Sequence, residues 1–117
     1  MATTATARYK AEMAATEAIA SADSAETWWL YVLECQGGVL YTGIAKDVDA
    51  RFEAHVKGMG AIFTRLNPPV RILSKTIMAT KGAALRAEYA FKRVSRAGKL
   101  QWCATGLERF VSGLSRG

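Results

Sequence analysis

Apolar and polar residues alternate in distinct patterns along this chain of 117 residues. Residues 28–35 are aromatic, β-branched or long apolar side chains with one glutamate, a run typical of a β-strand. Residues 36–38 contain two glycines and predict a turn, after which strand character resumes at residues 39–42. Gly43 is expected to end this second strand, and a third strand is predicted over residues 70–78.

The length of the turn decides which side chains share a face of the predicted hairpin. With a three-residue loop, Cys35 lies opposite Val39 and Leu33 lies opposite Tyr41. Tyr31 and Tyr41 then lie on the same face, because side chains alternate along a strand. A two-residue loop would separate them, so this register is a requirement of any site that uses both tyrosines.

A helix is predicted over about residues 48–57, with Asp47 as its N-cap. Arg51 and His55 lie one turn apart on the shoulder of its apolar stripe, so both can point at the same place. The stripe itself is predicted to consist of Val48, Phe52 and Val56. After it, residues 63–69 are predicted to be loop, because consecutive prolines reject both helix interior and central strand.

A further helix is predicted to begin at the N-cap Thr80 and to run to about Arg96, with Gly98 as its stop. Glu88 falls beside its apolar face and could reach the edge of the sheet. That face is predicted to contain Ala83, Ala84, Ala87, Phe91 and Val94. The tail is expected to form one short packing helix through Leu107, Phe110, Val111 and Leu114.

These elements predict an α/β chain of the α+β type, with a small three-stranded antiparallel sheet flanked by helices. Residues 27–103 would form this domain, and residues 104–117 a short C-terminal tail. Residues 1–26 are rich in Ala and Thr and lack Gly and Pro, so they favour helix but offer little to bury. We expect an N-terminal extension that is either a short docked helix or frayed.

Charge is distributed unevenly about a net value of +6. Residues 1–50 hold three Lys or Arg against seven Asp or Glu, whereas residues 51–117 hold thirteen against three. Such a basic half is typical of a surface that meets phosphates, although a solvated basic face explains it about equally well. The cysteines are widely separated, and no export signal or membrane-spanning run is found. We therefore expect a cytoplasmic protein with no membrane association.

The residues with chemical potential form one constellation. It comprises the segments Trp29-Leu30-Tyr31 and Tyr41-Thr42-Gly43, followed by Arg51, His55 and Glu88. In these residues the chain resembles the GIY-YIG nuclease domain, specifically its small single-domain bacterial members. The resemblance runs from Trp28 to about Lys99 and includes the segments 60–65 and 84–88. It departs from the motifs at Trp29, Leu30 and Thr42.

The resemblance implies a metal-dependent DNA endonuclease that hydrolyses phosphodiester bonds with Mg²⁺ or Mn²⁺. Tyr41 matches the tyrosine implicated in activating the nucleophilic water, with Tyr31 as its companion. Arg51 would hold the scissile phosphate, His55 matches a position that holds His or Tyr, and Glu88 matches the metal ligand. Because a free phenol has a pKa of about 10, a cation must assist, with Arg51, His55 and the metal as candidates.

DNA is the expected partner, with branched, damaged or single-stranded regions as targets and a link to repair or recombination, because no further module reads base sequence. The cations expected to contact it are Lys46, Arg65, Arg86, Lys92, Arg93 and Arg96. Larger family members place a polar residue after the metal-binding helix, and none is evident between Lys99 and Ala104. Two alternatives stay open: a nucleic-acid-binding module with weak or no cleavage, and a protein-interaction domain using Trp28, Trp29 and Trp102.

Overall fold

The structure is a computed structural model that describes residues 27–116. The predicted extension at residues 1–26 lies outside them. In chain order the elements are β1 (Trp28–Cys35), a 3₁₀ turn (Gln36–Gly38), β2 (Leu40–Ala45), α1 (Val48–Val56), α2 (Ile62–Leu66), β3 (Pro69–Met78), α3 (Lys81–Lys92), α4 (Arg96–Thr105) and α5 (Leu107–Arg116). Within these residues, no helix is both long and apolar enough to cross a bilayer.

The three strands form one antiparallel sheet in the order β2-β1-β3, which confirms the predicted fold class. The central strand β1 carries apolar residues almost without interruption because helices cover both faces of the sheet. Leu33 lies opposite Tyr41, and the Cys35 amide donates to the Val39 carbonyl at 2.8 Å. The three-residue loop and its register are therefore confirmed. Positive φ angles at Gly37 and Gly38 close the loop.

The two faces of β1 bury separate apolar clusters. On one face, Tyr31 and Leu33 pack with Val48 and Phe52 of α1. On the other, Leu30 and Val32 pack with Phe91 of α3 and Leu107 of α5. The sheet is thus a partition between α1 on one side and α3 with α5 on the other. Because β2 is an edge strand, side chains from α1 and from α3 can meet at that edge of the sheet.

The prediction that Gly43 ends the second strand is wrong, because β2 continues to Ala45. Gly43 lies opposite Tyr31 inside the β1–β2 ladder. A Cβ atom at this position would lie 2.6 Å from the Tyr31 hydroxyl oxygen. The glycine therefore marks a close approach of a cross-strand side chain, which is another common reason for glycine within a strand.

The buried face of α1 also differs from the prediction. Val48 is fully buried as expected, but Val56 is 50% exposed and His55 has no exposed surface. The helix is rotated so that His55 points inward, where hydrogen bonds satisfy both ring nitrogens. A buried polar side chain with its partners supplied can thus replace an apolar one in the inward-facing position.

Part of the predicted loop at residues 63–69 is a helix, α2, which ends at Leu66. The Asn67 side chain donates to the Phe63 carbonyl at 3.1 Å and helps to close its last turn. Prolines restrict their own positions and the residue before them, and the helix has already ended when Pro68 is reached. The prolines therefore limit where α2 ends and do not prevent it from forming.

The single helix predicted from Thr80 to Arg96 is two helices. Thr80 caps α3 as expected, with its side chain accepting from the Ala83 amide at 3.0 Å. The chain then turns after Lys92, and Ser95 caps α4 by accepting from the Gly98 amide at 3.1 Å. Gly98 accordingly lies in the first turn of a new helix and is not a helix stop. The predicted packing helix of the tail is present as α5.

Candidate active site

Tyr31 lies at the centre of the site. It projects from the middle of β1 and is 1% exposed, with its ring packed over Gly43 of the neighbouring strand. Its hydroxyl oxygen is 3.0 Å from His55 Nε2. The hairpin register and the inward rotation of α1 together make this contact, which joins residues 24 positions apart in the chain.

A chain of hydrogen bonds fixes the protonation of the His55 ring. The Thr64 hydroxyl donates its proton to the Ala61 carbonyl at 2.9 Å, so it can only accept from His55 Nδ1, which lies 2.7 Å away. His55 therefore carries its proton on Nδ1, and Nε2 accepts from the Tyr31 hydroxyl. The short helix α2 contains Thr64 and so positions the hydroxyl that sets this tautomer.

His55 is neutral at physiological pH. Burial, followed by the nearby positive charge of Arg51, lowers its pKa to about 4. The sequence-based proposal that His55 is one of the cations of the site therefore does not hold. The ring also packs tightly under Gly60, where an added Cβ atom would overlap it. His55 is a fixed neutral acceptor that orients Tyr31.

Tyr31 stays protonated at neutral pH. Burial and the neighbouring Tyr41 raise its pKa well above the usual range, and the charge of Glu88 acts in the same direction. Arg51 opposes them by a hydrogen bond and by its charge, without reversing the shift. Tyr31 can therefore donate a hydrogen bond, but it is a poor candidate for the base that activates a water molecule.

Tyr41 is the more accessible phenol of the pair. It is half-buried, and its ring lies 6.3 Å from that of Tyr31 and 5.0 Å, edge to face, from that of His55. Phe63 of α2 covers its other side at 5.9 Å. The two tyrosines thus differ in environment although they share a face of the sheet. Tyr41 keeps the access to solvent and substrate that Tyr31 has lost.

Arg51 and Glu88 reach this cluster from opposite layers of the domain. Arg51 is on the exposed side of α1, one turn before His55, and its charge acts on both His55 and Tyr31. Glu88 is on α3, beyond the other face of the sheet, and its charge also acts on Tyr31. The structure therefore places three of the other predicted catalytic residues, Tyr41, Arg51 and His55, beside Tyr31, and the fourth, Glu88, near enough for its charge to act on that phenol.

Among the residues that the structure describes, Glu88 is the candidate donor for a hard divalent cation. Within residues 27–116, no group of three His, Cys, Asp or Glu side chains could form a cage around a metal ion. The Glu88 side chain is 19% exposed, and its carboxylate lies 3.4 Å from Lys92 Nζ. Mg²⁺ is commonly held by one or two carboxylates, waters and substrate phosphates. The set fits a single-carboxylate site completed by substrate.

The side chains predicted to contact nucleic acid differ in the partners that they have in the structure. Lys46 Nζ lies 5.6 Å from the centre of the Trp28 ring, and Lys92 pairs with Glu88. Arg96 donates from Nε and Nη2 to the Gly38 carbonyl at 3.1 and 2.7 Å, so it ties α4 to the hairpin loop. The three remaining cations are exposed: Arg65 on α2, Arg86 on α3, and Arg93 directly after α3, where its guanidinium lies 5.6 Å from the centre of the Tyr89 ring.

Thr64 and Gly60 belong to the site although their sequence signals were not used for it. Thr64 is fully buried and holds His55, and Gly60 leaves room for the same ring. Both lie in the segment 60–65, which contributed only Arg65 to the predicted site. A threonine and a glycine are too common in loops and turns to indicate this role, since it depends on contact with a helix that precedes them.

The three tryptophans differ in their exposure to solvent. Trp29 is 7% exposed and Trp102 packs edge to face on Phe110, with ring centres 5.6 Å apart. Trp28 and Trp102 are each partly exposed, and lysine ammonium groups lie over the Trp28 ring. The protein-interaction alternative therefore keeps two of its three tryptophans at the surface, whereas Trp29 is buried. Both cysteines, Cys35 and Cys103, are free thiols.

Comparison with known proteins identifies the same domain independently. Residues 27–101 match the model of the GIY-YIG catalytic domain. A UPF0213 protein of Cupriavidus pinatubonensis is 49% identical over 77 residues, which cover 66% of this chain and 86% of that protein. A UPF0213 protein of Xanthomonas axonopodis pv. citri is 46% identical over 80 residues, covering 68% and 78% of the two chains.

A solved relative is the solution NMR structure of a UPF0213 protein from Bacillus halodurans, which is 38% identical. It matches with a TM-score of 0.45 over 68% of this chain and 84% of that one. The family match spans the hairpin, α1, α2, β3 and α3, the elements that carry every residue of the site. The chain therefore belongs to the GIY-YIG nuclease family.

Proposed function

We propose that this protein is a metal-dependent DNA endonuclease that hydrolyses phosphodiester bonds. One observation carries the proposal: Tyr31, the most buried phenol of the site, is acted on at once by Tyr41, Arg51, His55 and Glu88. These residues come from both strands of the hairpin and from helices on opposite faces of the sheet. Two phenols, a guanidinium, an imidazole and a carboxylate from separate elements are more typical of a functional site than of apolar packing.

In this proposal the exposed Arg51 guanidinium binds a non-bridging oxygen of the scissile phosphate. Its planar fork can donate two hydrogen bonds, and its charge offsets the charge that develops on phosphorus. Tyr41 first releases its own hydroxyl proton to solvent, and the resulting phenolate accepts the proton of the attacking water as the new O–P bond forms. The bond from phosphorus to the leaving oxygen breaks, and that oxygen takes its proton from solvent. Tyr31 and His55 do not exchange protons with substrate and serve to hold the site in place.

Glu88 would hold the divalent cation, which supplies charge neutralisation at the phosphate when it is bound. For this the carboxylate must leave Lys92, its partner at 3.4 Å. Lys92 is about half exposed and follows Glu88 by one helical turn, and such pairs contribute on the order of 1 kcal/mol or less, so the exchange is inexpensive. Action on irregular DNA structures and a link to repair or recombination belong to the same proposal, supported by the small size of the domain.

Nicking of supercoiled DNA by the purified full chain, with Mg²⁺ or Mn²⁺ and with EDTA, tests the proposal. We expect metal-dependent nicking that falls by at least about 100-fold in Tyr41→Phe, Arg51→Ala and Glu88→Gln. Matched controls carry the same chemical changes at exposed positions away from the site: Tyr89→Phe, Arg109→Ala and Glu108→Gln. These should cleave like the wild type. Equal loss in a control and its partner would contradict the assignment.

A second function, nucleic-acid binding with weak or no cleavage, is favoured by one observation. The Glu88 carboxylate is already paired with Lys92, and no second acidic side chain completes a metal cage within the described residues. The segment from Lys99 to Ala104, in which no further polar site residue was evident from the sequence, lies within α4, and this helix packs on β3 and α5. Absence of nicking together with salt-sensitive retardation of DNA would select this alternative.

A further inference from the structure

A shallow groove of about 450 Å³ opens directly beside Arg51. Its walls are mainly apolar and come from the start of β1, the end of β2 and the exposed side of α1. Arg51 and Lys46 contribute charge at its rim, and the other lining residues are Trp28, Ile44, Ala45, Asp47, Ala50 and Ala54. The volume falls within the range of about 300–1,000 Å³ that is usual for ligand sites.

Two lysines converge on the tryptophan of this groove. Lys46 Nζ lies 5.6 Å and Lys81 Nζ lies 5.1 Å from the centre of the Trp28 ring. They come from the end of β2 and from the first turn of α3, so the tertiary fold brings them together. Like charges held near one ring repel each other, and an anion between them would relieve that repulsion. The groove thus has an aromatic wall with two cations, Lys46 and Arg51, and one carboxylate, Asp47, in its lining, and Lys81 approaches the same ring from outside that lining.

We propose that this groove binds the nucleotide next to the scissile phosphate, with its unstacked base against the Trp28 indole and its phosphate at Lys46 and Lys81. The inference rests on the proposed function, because Arg51 is shared by the groove and the catalytic cluster. An apolar slot with cations at its edge matches a nucleobase, which offers a flat apolar face beside a negative backbone. A base must leave a duplex stack to enter it.

Binding in EDTA separates this inference from catalysis, because cleavage cannot occur in the assay. The probes are two fluorescein-labelled single-stranded oligodeoxynucleotides that are identical except that one carries abasic sites, which keep the phosphates and remove the bases. We expect the full-length wild type to bind the base-bearing probe about tenfold more tightly. In Trp28→Leu the ratio of the affinities for the two probes should fall to about one, and in Trp28→Phe it should stay close to the wild-type ratio.

Lys46→Gln and Lys81→Gln should weaken binding of both probes and lower the salt dependence by about one released counterion each. Lys99→Gln removes the same charge from α4, at a position that neither lines the groove nor lies over the Trp28 ring, and should leave the affinity for both probes and the salt dependence unchanged. An unchanged preference in Trp28→Leu, or equal effects of all three lysine variants, would overturn the inference. Loss of nicking with these results intact would count against the proposed catalysis only.

Discussion

At the scale of single residues, the site depends on a neutral histidine and on two glycines, whose lack of a Cβ atom leaves space for neighbouring rings. His55 accepts from Tyr31 and donates to Thr64, and it does so with no exposed surface. Gly43 and Gly60 leave room for the rings of Tyr31 and His55. The two glycines have the same role, since each lies where a ring must approach the backbone.

The titration of His55 predicts how stability depends on pH. A histidine has a pKa near 6.5 in an unfolded chain, and burial lowers it to about 4 in the folded protein. Between these values the unfolded state binds more protons, so stability falls as pH drops from 6.5 towards 4 and is unaffected by this group above that window. The loss is on the order of 3 kcal/mol at most.

Urea unfolding across this pH range measures the effect, with His55→Gln as the comparison that lacks the titrating group. The wild type should lose more stability than the variant as the solution is acidified. His55 is the only histidine of the chain, so its ring proton signals report its pKa directly by NMR. A midpoint near the ordinary value would contradict the buried, neutral ring.

Gly43→Ala tests the close contact between the strands. The added Cβ would lie 2.6 Å from the Tyr31 hydroxyl oxygen and must displace that ring from His55. We expect a loss of about 1–3 kcal/mol in the free energy of unfolding, together with loss of nicking. Gly113→Ala in α5 meets nothing within 4 Å and should gain up to about 1 kcal/mol, because alanine favours helix. Equal effects in both would contradict the account.

At the scale of elements, short polar signals decide where helices begin and end. Asp47, Thr80 and Ser95 each accept from a backbone amide in the first turn of the helix that follows. The first two are recognisable in the sequence because an apolar helical stripe follows them directly. Ser95 is harder to recognise, since the stripe of α3 continues without a break into Val94.

Ser95→Ala should destabilise the protein by about 1 kcal/mol, because the Gly98 amide loses its acceptor at the start of α4. Ser112→Ala is the matched control, since Ser112 is exposed within α5 and alanine there favours helix. Thermal or urea unfolding of the two variants measures the difference. If Ser112→Ala costs as much as Ser95→Ala, the cap does not define the break between α3 and α4.

At the scale of the whole molecule, the basic half of the chain is divided between structure and solvent. Arg96 is bound to the Gly38 carbonyl, whereas Arg93 lies on the surface against Tyr89, with its guanidinium carbon 5.6 Å from the ring centre. Net charge attracts nucleic acid at long range, but only side chains free to move reach phosphates. The two arginines lie three residues apart and should therefore behave differently.

Arg93→Gln should lower the slope of log K against log salt for DNA binding by about one unit while leaving stability within about 0.5 kcal/mol. Arg96→Gln should lower the free energy of unfolding by about 1 kcal/mol or more and change the slope less. DNA retardation over a range of salt concentrations, paired with urea unfolding, measures both quantities. The reverse pattern would place Arg96 in the DNA contact and Arg93 in the fold.

The sequence alone determined the features that depend on near neighbours. The limits of β1, the caps Asp47 and Thr80 and the family motif all follow from residues close together in the chain, whereas the hairpin register stayed conditional on the length of its loop. Apolar residues recur every two residues in a strand and every 3.6 residues in a helix, so the sequence shows such contacts directly. The candidate residues of the site came instead from the family resemblance, which did not include the roles of Thr64 and Gly60.

Only the tertiary structure decided how those residues behave. His55 rather than Val56 faces inward because Tyr31 and Thr64, 24 and 9 residues away, supply its partners. The neutrality of His55, the unequal environments of the two tyrosines and the groove beside Arg51 likewise depend on packing between distant segments. Burial and pairing set charge and access, and these act across space, so no local pattern of residues records them.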